Sequence, residues 1–508
     1  MRILFIIIAS IPFVAFSQLT SGDKIKKHIT DHQHEIIDAY VGFLSIPNIA
    51  TDIVNIKKNA DWIANRMKSK SISNVQLLYP TTPNKPPVVY GEVMTPGAKE
   101  TIIFYAHYDG QPVDSTKWYP GLHPFRPMLL DGPFDRGGKV IPWPSSGTPF
   151  DPMWRIYGRG ASDDKGGVMA ILEAYSIMKA LGLSPAVNIK FFFEGEEEAG
   201  STHLDEVLTK YKSLLEADMW VICDGPVHQS GKKQLVFGVR GDTHLELTVY
   251  GPKRPLHSGH YGNWVPNPAM ELSRLLSSMK DNDGNVTVEG FYDDVVPLTD
   301  SEKQALGKIP SVDEQLKKEL GFKRSERPTA LNLSLNMPSL NINGIQSAAV
   351  GDKSANVIPT KAVASIDLRL VLGNDWKRQQ DKVVRHIQNQ GFFVTETEPT
   401  DEQRSTFDKI CKVVRSDGYN AQKTSLENPF AKRIAKAISN AMGEDPLLLP
   451  TLGGSLPLFV FEKTLHKQPI TVPIANHDNN QHAENENIRL RNFFEGIEMF
   501  AWIMMLPK

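Results

Sequence analysis

Six residues of strand length, Asn188-Ile189-Lys190-Phe191-Phe192-Phe193, run straight into Glu194-Gly195-Glu196-Glu197-Glu198-Ala199-Gly200-Ser201. Few features constrain a fold as strongly. Three consecutive carboxylates just beyond a buried strand repel one another and resist desolvation. A fold tolerates them as a solvated acidic turn, or as a place where positive charge is held. Neighbouring side chains diverge, so Glu197 and Glu198 do not aim at one point. One can hold a metal while the other handles a proton.

The elements on either side of this strand set the fold class. Helical blocks are predicted within 24–72, around Ile36–Val41 and Ala60–Ala64, with strands at 88–90 and 101–106. The span 112–152 is rich in Pro and Gly and carries Trp118, Phe125, Phe134 and Trp143. So long an irregular segment is usually functional or a wall over a site. An amphipathic helix over 166–181 is predicted from the stripe Val168, Leu172, Tyr175 and Met178. A helix near 203–215 and a strand over 219–223 follow. Strands alternating with helices indicate an α/β sheet with covered faces.

After Gly241 the period changes. Leu245, Leu247 and Val249 alternate with polar residues, as in a strand with one wet face. A helix near 267–280, strands at 331–343 and 361–371, a helix near 375–390 and a strand at 392–398 give the order β-α-β-β-α-β, a ferredoxin-like sandwich. Residues 399–428 are polar and stay unassigned. The first pattern resumes with a helix at 429–442, the run Leu447-Leu448-Leu449 and a helix at 488–505. The resulting organisation is a leader over 1–17, a catalytic domain over 18–240 and 401–508, and an inserted domain over 241–400.

The leader is read from Arg2, the apolar run Ile3–Ile8 and the small-residue ending at Ser17, which together resemble a secretory signal peptide cleaved before Gln18. Export to a periplasm or the medium is the expectation, with an uncleaved anchor as the alternative. No other segment is long and apolar enough to cross a bilayer. A net charge of −2 gives no electrostatic case for nucleic acid. The two cysteines, Cys223 and Cys411, do not make a disulfide framework in a chain of 508 residues.

Chemistry gathers at the strand ends. Strand 101–106 ends in His107-Tyr108-Asp109, whose spacing puts His107 and Asp109 on one side. A carboxylate so placed orients a ligating imidazole from behind. Gly158-Arg159-Gly160-Ala161-Ser162-Asp163-Asp164-Lys165-Gly166-Gly167 opens the next helix. A Gly-rich loop there can hold phosphate, but Asp163 and Asp164 oppose an anion and suit a cation. Strand 219–223 ends in Asp224. In open α/β sheets the site lies beyond the carboxyl ends of the strands, where these residues converge. A polar loop, Asn476–Glu486, and the segment Leu256-His257-Ser258-Gly259 complete the set.

Together these blocks resemble the di-zinc exopeptidases and deacylases that include carnosine dipeptidases, non-specific dipeptidases, carboxypeptidase G, aminoacylase and succinyl-diaminopimelate desuccinylase. The resemblance implies a zinc-exopeptidase-like catalytic domain with a mainly parallel sheet, plus an inserted lid and dimerisation domain. It implies His107, Asp163, Glu198, Asp224 and His482 as ligands of two Zn2+, with Mn2+ or Co2+ also fitting, and Asp163 as the bridge. Asp109 then orients His107, Glu197 is the general base, and the Asp163–Asp164 bond is cis. His482 fits the family spacing Asp478-x-x-x-His482-x-x-Asn485-Glu486; His477 does not, and is read as a surface histidine. His257, Arg369, Gly454 and Ser455 resemble substrate-binding residues, His257 reaching across a homodimer, and Asn356 is a further candidate. Arg369 fits an ordinary strand arginine as well. His123, His203, His228, His244, His260, His386 and His466 carry no motif and are read as structural or surface residues.

Charge balance agrees with that ligand set. The charge of two divalent cations is matched by Asp163, Asp224, Glu198 and one hydroxide, with two neutral imidazoles. The expected activity is hydrolysis of dipeptides or short peptides. An N-acyl-amino-acid deacylase is the alternative within enzymes, and a non-catalytic peptide-binding relic the alternative outside them.

Overall fold

The computed structural model describes residues 13–454 and 458–506, in two compact units. The first holds the described residues up to Val236, Thr424–Leu448 and the chain from Lys463 onward; the second holds Phe237–Lys423 and Leu449–Glu462. Residues 1–12 of the leader lie outside the described residues, and Phe13–Asp31 is a helix. Among the described residues no helix is long and apolar enough to cross a membrane.

The first unit is built on an eight-stranded sheet in the order Ser73–Leu78, Val88–Val93, Asn188–Glu194, Thr101–His107, Met219–Ile222, Ile470–Thr471, Gln234–Val236, Leu447–Leu449. The strands at its centre, from Asn188–Glu194 to Ile470–Thr471, run parallel. Those towards Ser73–Leu78 pair antiparallel. Phe191, Phe192 and Phe193 are each 0% exposed. Successive side chains of a strand point to opposite faces, so burial of all three requires both faces to be covered. Helices Lys165–Ala180 and Leu490–Met504 pack together in this unit, and Phe500 meets Phe104 edge to face, ring centroids 5.8 Å apart.

The Lys165–Ala180 helix departs from the single stripe predicted for it. Ala170, Ile171 and Glu173 are buried as well as Val168 and Leu172. Helices Phe13–Asp31, Gln33–Leu44 and Leu490–Met504 all pack on it, so it is a core helix and not a surface one. The 112–152 segment is also less irregular than expected. Met128–Leu130 joins Arg155–Tyr157 and Asn487–Arg489 in a three-stranded sheet, and Trp118, Leu122, Leu130 and Tyr157 form a small core.

Glu498, on the last helix, gives this unit a pH dependence. It is 5% exposed, and its nearest cation is the Lys26 ammonium at 3.4 Å. Burial pushes its pKa from 4.5 up to about 7. The folded state therefore binds the proton more tightly than the unfolded one. The stabilisation is full below the unfolded value and is lost as pH rises through about 7. Glu498→Gln is expected to flatten this loss: urea midpoints measured at several pH values should converge with wild type at acid pH and exceed it near pH ~8.

The second unit is a five-stranded sheet in the order Ser339–Gln346, Lys361–Leu370, Gly241–Tyr250, Ile410–Arg415, Phe393–Thr395. Leu245, Leu247 and Val249 form its core with Leu272 and Leu275 of helix Pro268–Ser277 and Val383 and Ile387 of helix Trp376–Asn389. The expected sheet with two helices on one face is present. Two details differ. A strand, Ile410–Arg415, lies in the stretch left unassigned; it buries Cys411 and Val413 but is too short for its alternation to stand out. The strand predicted over 331–343 divides into helix Leu331–Ser334 and strand Ser339–Gln346. Pro338 lies between them and, lacking an N–H, sits just before the ladder starts. Cys223 and Cys411 are both buried and free.

Candidate metal centre

His107, Asp163, Glu197, Glu198, Asp224 and His482 converge at the carboxyl edge of the first unit's sheet. His107 closes the Thr101–His107 strand and is wholly buried. Its Nε2 lies 3.1 Å from Asp163 Oδ1, 3.8 Å from Asp224 Oδ2 and 3.9 Å from Glu197 Oε2. His482 meets the other oxygen of Asp163. Its Nε2 lies 3.2 Å from Asp163 Oδ2 and 3.5 Å from Glu198 Oε2. Asp163 thus turns one carboxylate oxygen to each histidine. Asp163 Oδ2 is buried with no hydrogen-bond partner.

The three consecutive glutamates part company. Glu196 binds His203, with Nδ1 2.8 Å from Oε2. Glu197 faces His107, and Glu198 faces His482. Each carboxylate faces a different histidine, which spreads the three apart, although the charge of Glu198 still disfavours that of Glu197. Gly195 makes the turn possible, because a Cβ there would overlap the Tyr108 ring. Asp109 then fixes it: its carboxylate accepts from the backbone N–H groups of Glu197 at 3.1 Å and Glu198 at 2.9 Å. The same carboxylate is 3.5 Å from His107 Nδ1, whose hydrogen-bond partner is the Asp109 carbonyl at 3.2 Å. One residue orients both an imidazole and the acidic turn.

The Asp164 carboxylate lies beside the cluster, accepting from His107 N at 3.3 Å. It caps helix Lys165–Ala180 by accepting from Gly167 N at 3.1 Å, and the Asp163–Asp164 bond is cis, as the resemblance implied.

Electrostatics mark the cluster as short of positive charge. Burial pushes Glu198 up to about 8 and Asp224 up to about 6. It pushes Glu197 well above the ordinary carboxylate range. The Asp163 carboxylate beside it raises His482 to about 9 against its burial. Burial opposes the charge on His107, yet hydrogen bonding to Asp109 and Asp163 and the nearby carboxylates raise it well above the usual value. Asp163 is also disfavoured by burial, but the two histidines beside it hold it well below the ordinary range. The cluster keeps protons on imidazoles and carboxylates to relieve its own negative charge. Divalent cations relieve it more strongly. Two imidazoles and three carboxylates, with an orphaned oxygen on the central one, fit such ions.

The model of "Peptidase family M20/M25/M40" matches residues 103–505. The chain belongs to that peptidase family. Beta-Ala-His dipeptidase of Homo sapiens is 29% identical over 422 residues, 82% of this chain and 76% of that protein. Cys-Gly metallodipeptidase DUG1 of Candida albicans is 28% identical over 472 residues, 89% of this chain and 90% of that protein. The M20 family metallo-carboxypeptidase Sso-CP2 from Sulfolobus solfataricus has a TM-score of 0.75 at 28% identity, covering 93% of this chain and 99% of that one. Human carnosine dipeptidase 1 has a TM-score of 0.74 at 25% identity, covering 95% and 98%. The catalytic sheet and the separate five-stranded lid sheet are those of the M20 fold.

Some residues that build this M20 centre are not apparent from sequence pattern. Gln111 donates to Glu198 Oε2 at 2.7 Å; its place on the strand-end loop after Asp109 is the signal that points to it. Glu486 is fully buried and accepts from Gly160 N, Ser162 N and Asp163 N at 3.0, 2.8 and 3.0 Å, and from Arg159 Nη1 at 2.8 Å. It shapes the loop that carries Asp163. Asp478 pairs with Arg155 at 2.7 Å and with Arg489 at 3.3 Å, anchoring the loop that carries His482. His477, read as a surface histidine, is half-buried.

The remaining candidates belong to the second unit. His257 is exposed, accepts from Gly259 N at 3.0 Å and pairs with Val357 across a short antiparallel bridge. Asn356 meets it there, its carbonyl accepting from Ser258 N at 3.0 Å. Arg369 Nε lies 3.0 Å from Asp367 and 3.6 Å from Asp242. Gly454 is exposed, and Ser455 lies outside the described residues.

Proposed function

We propose that this protein is a metallodipeptidase whose centre is two divalent cations held by His107, Asp163, Glu198, Asp224 and His482. The single observation that carries this reading is Asp163, with one oxygen turned to each histidine, at 3.1 and 3.2 Å. A carboxylate shared between two ions needs that disposition. Dipeptidase relatives that match across most of their length support the substrate class. The nitrogen and oxygen donors favour zinc, with manganese or cobalt using the same ligands.

Ions held by those five residues would supply polarisation of an amide carbonyl and a lowered pKa for water. Glu197 does the proton work. Its carboxylate reaches the cluster without being needed as a ligand, and its burial raises its proton affinity. It takes a proton from the attacking water and returns it to the departing amine nitrogen. Asp109 keeps His107 and the Glu197 backbone in register while this happens. His257, Asn356, Arg369, Gly454 and Ser455 are assigned to substrate. The exposure of His257 supports its reaching a neighbouring subunit's centre in a homodimer. The leader composition of residues 1–17 supports export, and a mature protein beginning at Gln18 by N-terminal sequencing is the expected result.

A panel of dipeptides, N-acetyl amino acids and N-succinyl amino acids tests the reading. Dipeptides should be cleaved fastest, chelation should abolish turnover, and Zn2+, Mn2+ or Co2+ should restore it. Preference for the N-acyl compounds would reassign the protein as a deacylase. Turnover untouched by chelator would overturn the metal centre.

A further inference from the structure

The second unit has a partly open cavity of about 320 Å³ that the proposed peptidase chemistry does not use. Its size is that of a small-molecule pocket. Leu316 and Leu320, one turn apart on helix Asp313–Leu320, form one wall, and Val286, Tyr292 and Leu335 line it elsewhere. That helix has no buried residue, and Leu320 is 69% exposed. An amphipathic helix gains its stability by burying its apolar face, and here that face lines the cavity.

Arg240 also lines the cavity, and it is only 7% exposed. Its Nη2 donates to the Met337 carbonyl at 2.8 Å and to Ser339 Oγ at 2.9 Å, and its Nε has no hydrogen-bond partner. Among the described residues no carboxylate forms an ion pair with it. Asp367 and Asp242 favour its charge from a distance, and a buried guanidinium without a directly paired anion is costly. Burial, with the charge of Arg369, lowers its pKa to about 10. The other cations lining the cavity are engaged: Lys280 with Glu326 at 2.5 Å, Lys317 with Glu314 at 2.7 Å, and Arg327 over the Tyr292 ring at 6.0 Å.

We infer that this cavity is a binding site for a small amphiphilic carboxylate, whose apolar body packs against Leu316, Leu320 and Tyr292 and whose head pairs with Arg240. The ligand stabilises the site in two ways. It covers apolar surface left wet on the Asp313–Leu320 helix, and it supplies the directly paired anion and the acceptor that Arg240 lacks.

Calorimetric titration of the full-length protein with decanoate, 1-decanol and decylamine, each below its aggregation threshold, tests the site. Decanoate should bind one per chain and at least about tenfold more tightly than decanol, the worth of a hydrogen bond to a charged group. Decylamine should bind more weakly than both. Arg240→Gln should erase the preference of decanoate over decanol, and Arg240→Lys should keep part of it. Leu316→Asp, on a helix with no buried residue, should weaken both ligands while leaving dipeptide turnover unchanged. Equal affinity for decanoate and decanol overturns the inference. So does tighter binding of decylamine, or decanoate binding that neither Arg240→Gln nor Leu316→Asp alters.

Discussion

Glu197→Gln is expected to lower dipeptide turnover by about 10²–10⁴-fold, the usual contribution of a positioned general acid–base group. The amide has the shape of the carboxylate but accepts no proton. The backbone around it should stay in place, because Asp109 holds the turn through the N–H groups of residues 197 and 198, not through the Glu197 side chain. Metal content per chain should match wild type, and the loss should fall on kcat and not on KM. Glu198→Gln gives the contrast. Glu198 Oε2 faces His482 at 3.5 Å, so its loss should reduce metal content along with turnover. If Glu197→Gln instead emptied the centre of metal, Glu197 would be a ligand and the proton would need another carrier.

The second large effect is expected on stability. Glu486→Gln should cost about 3–5 kcal/mol, the range for breaking a buried ion pair on one side only. Arg159, its partner at 2.8 Å, is almost fully buried and would keep its charge without a counter-ion. The two carboxylate oxygens are committed to different donors: Oε2 receives Arg159 and Gly160 N, and Oε1 receives Ser162 N and Asp163 N. A glutamine has one acceptor oxygen, so its amino group must face donors on one side. The urea midpoint should fall without a change in slope. Metal affinity should fall too, since the loop so released carries Asp163. An unchanged midpoint would mean that the loop is held by other contacts.

Both cases show where sequence reading reaches its limit. His107, Glu198 and Asp224 were legible as a group because parallel strands deliver their carboxyl ends to one edge, while Asp163, on the loop that opens the Lys165–Ala180 helix, was placed with them by the family resemblance. His482 was legible only through the family resemblance, whose spacing it fits. Glu486 carried the same chemistry but a different role, and nothing in its neighbours says that its donors are backbone N–H groups more than three hundred residues earlier. The strand Ile410–Arg415 escaped because six residues of weak alternation among polar ones look like loop until partners flank it. Leu331 and Leu335 looked like strand residues, and only the cavity that they line shows their helical spacing to be the relevant one.

The sequence by itself determined the fold class, the division into a wound α/β unit and an α+β insert, and the roster of acids and imidazoles at the strand ends. Those follow from hydrophobic period and from the cost of burying charge, both local properties. Only the tertiary structure decided which oxygen of Asp163 meets which histidine, that Asp109 ties the acidic turn as well as the ring, and that Arg240 is buried with a donor unmet. Those depend on distances between residues far apart in the chain, and no local preference encodes them.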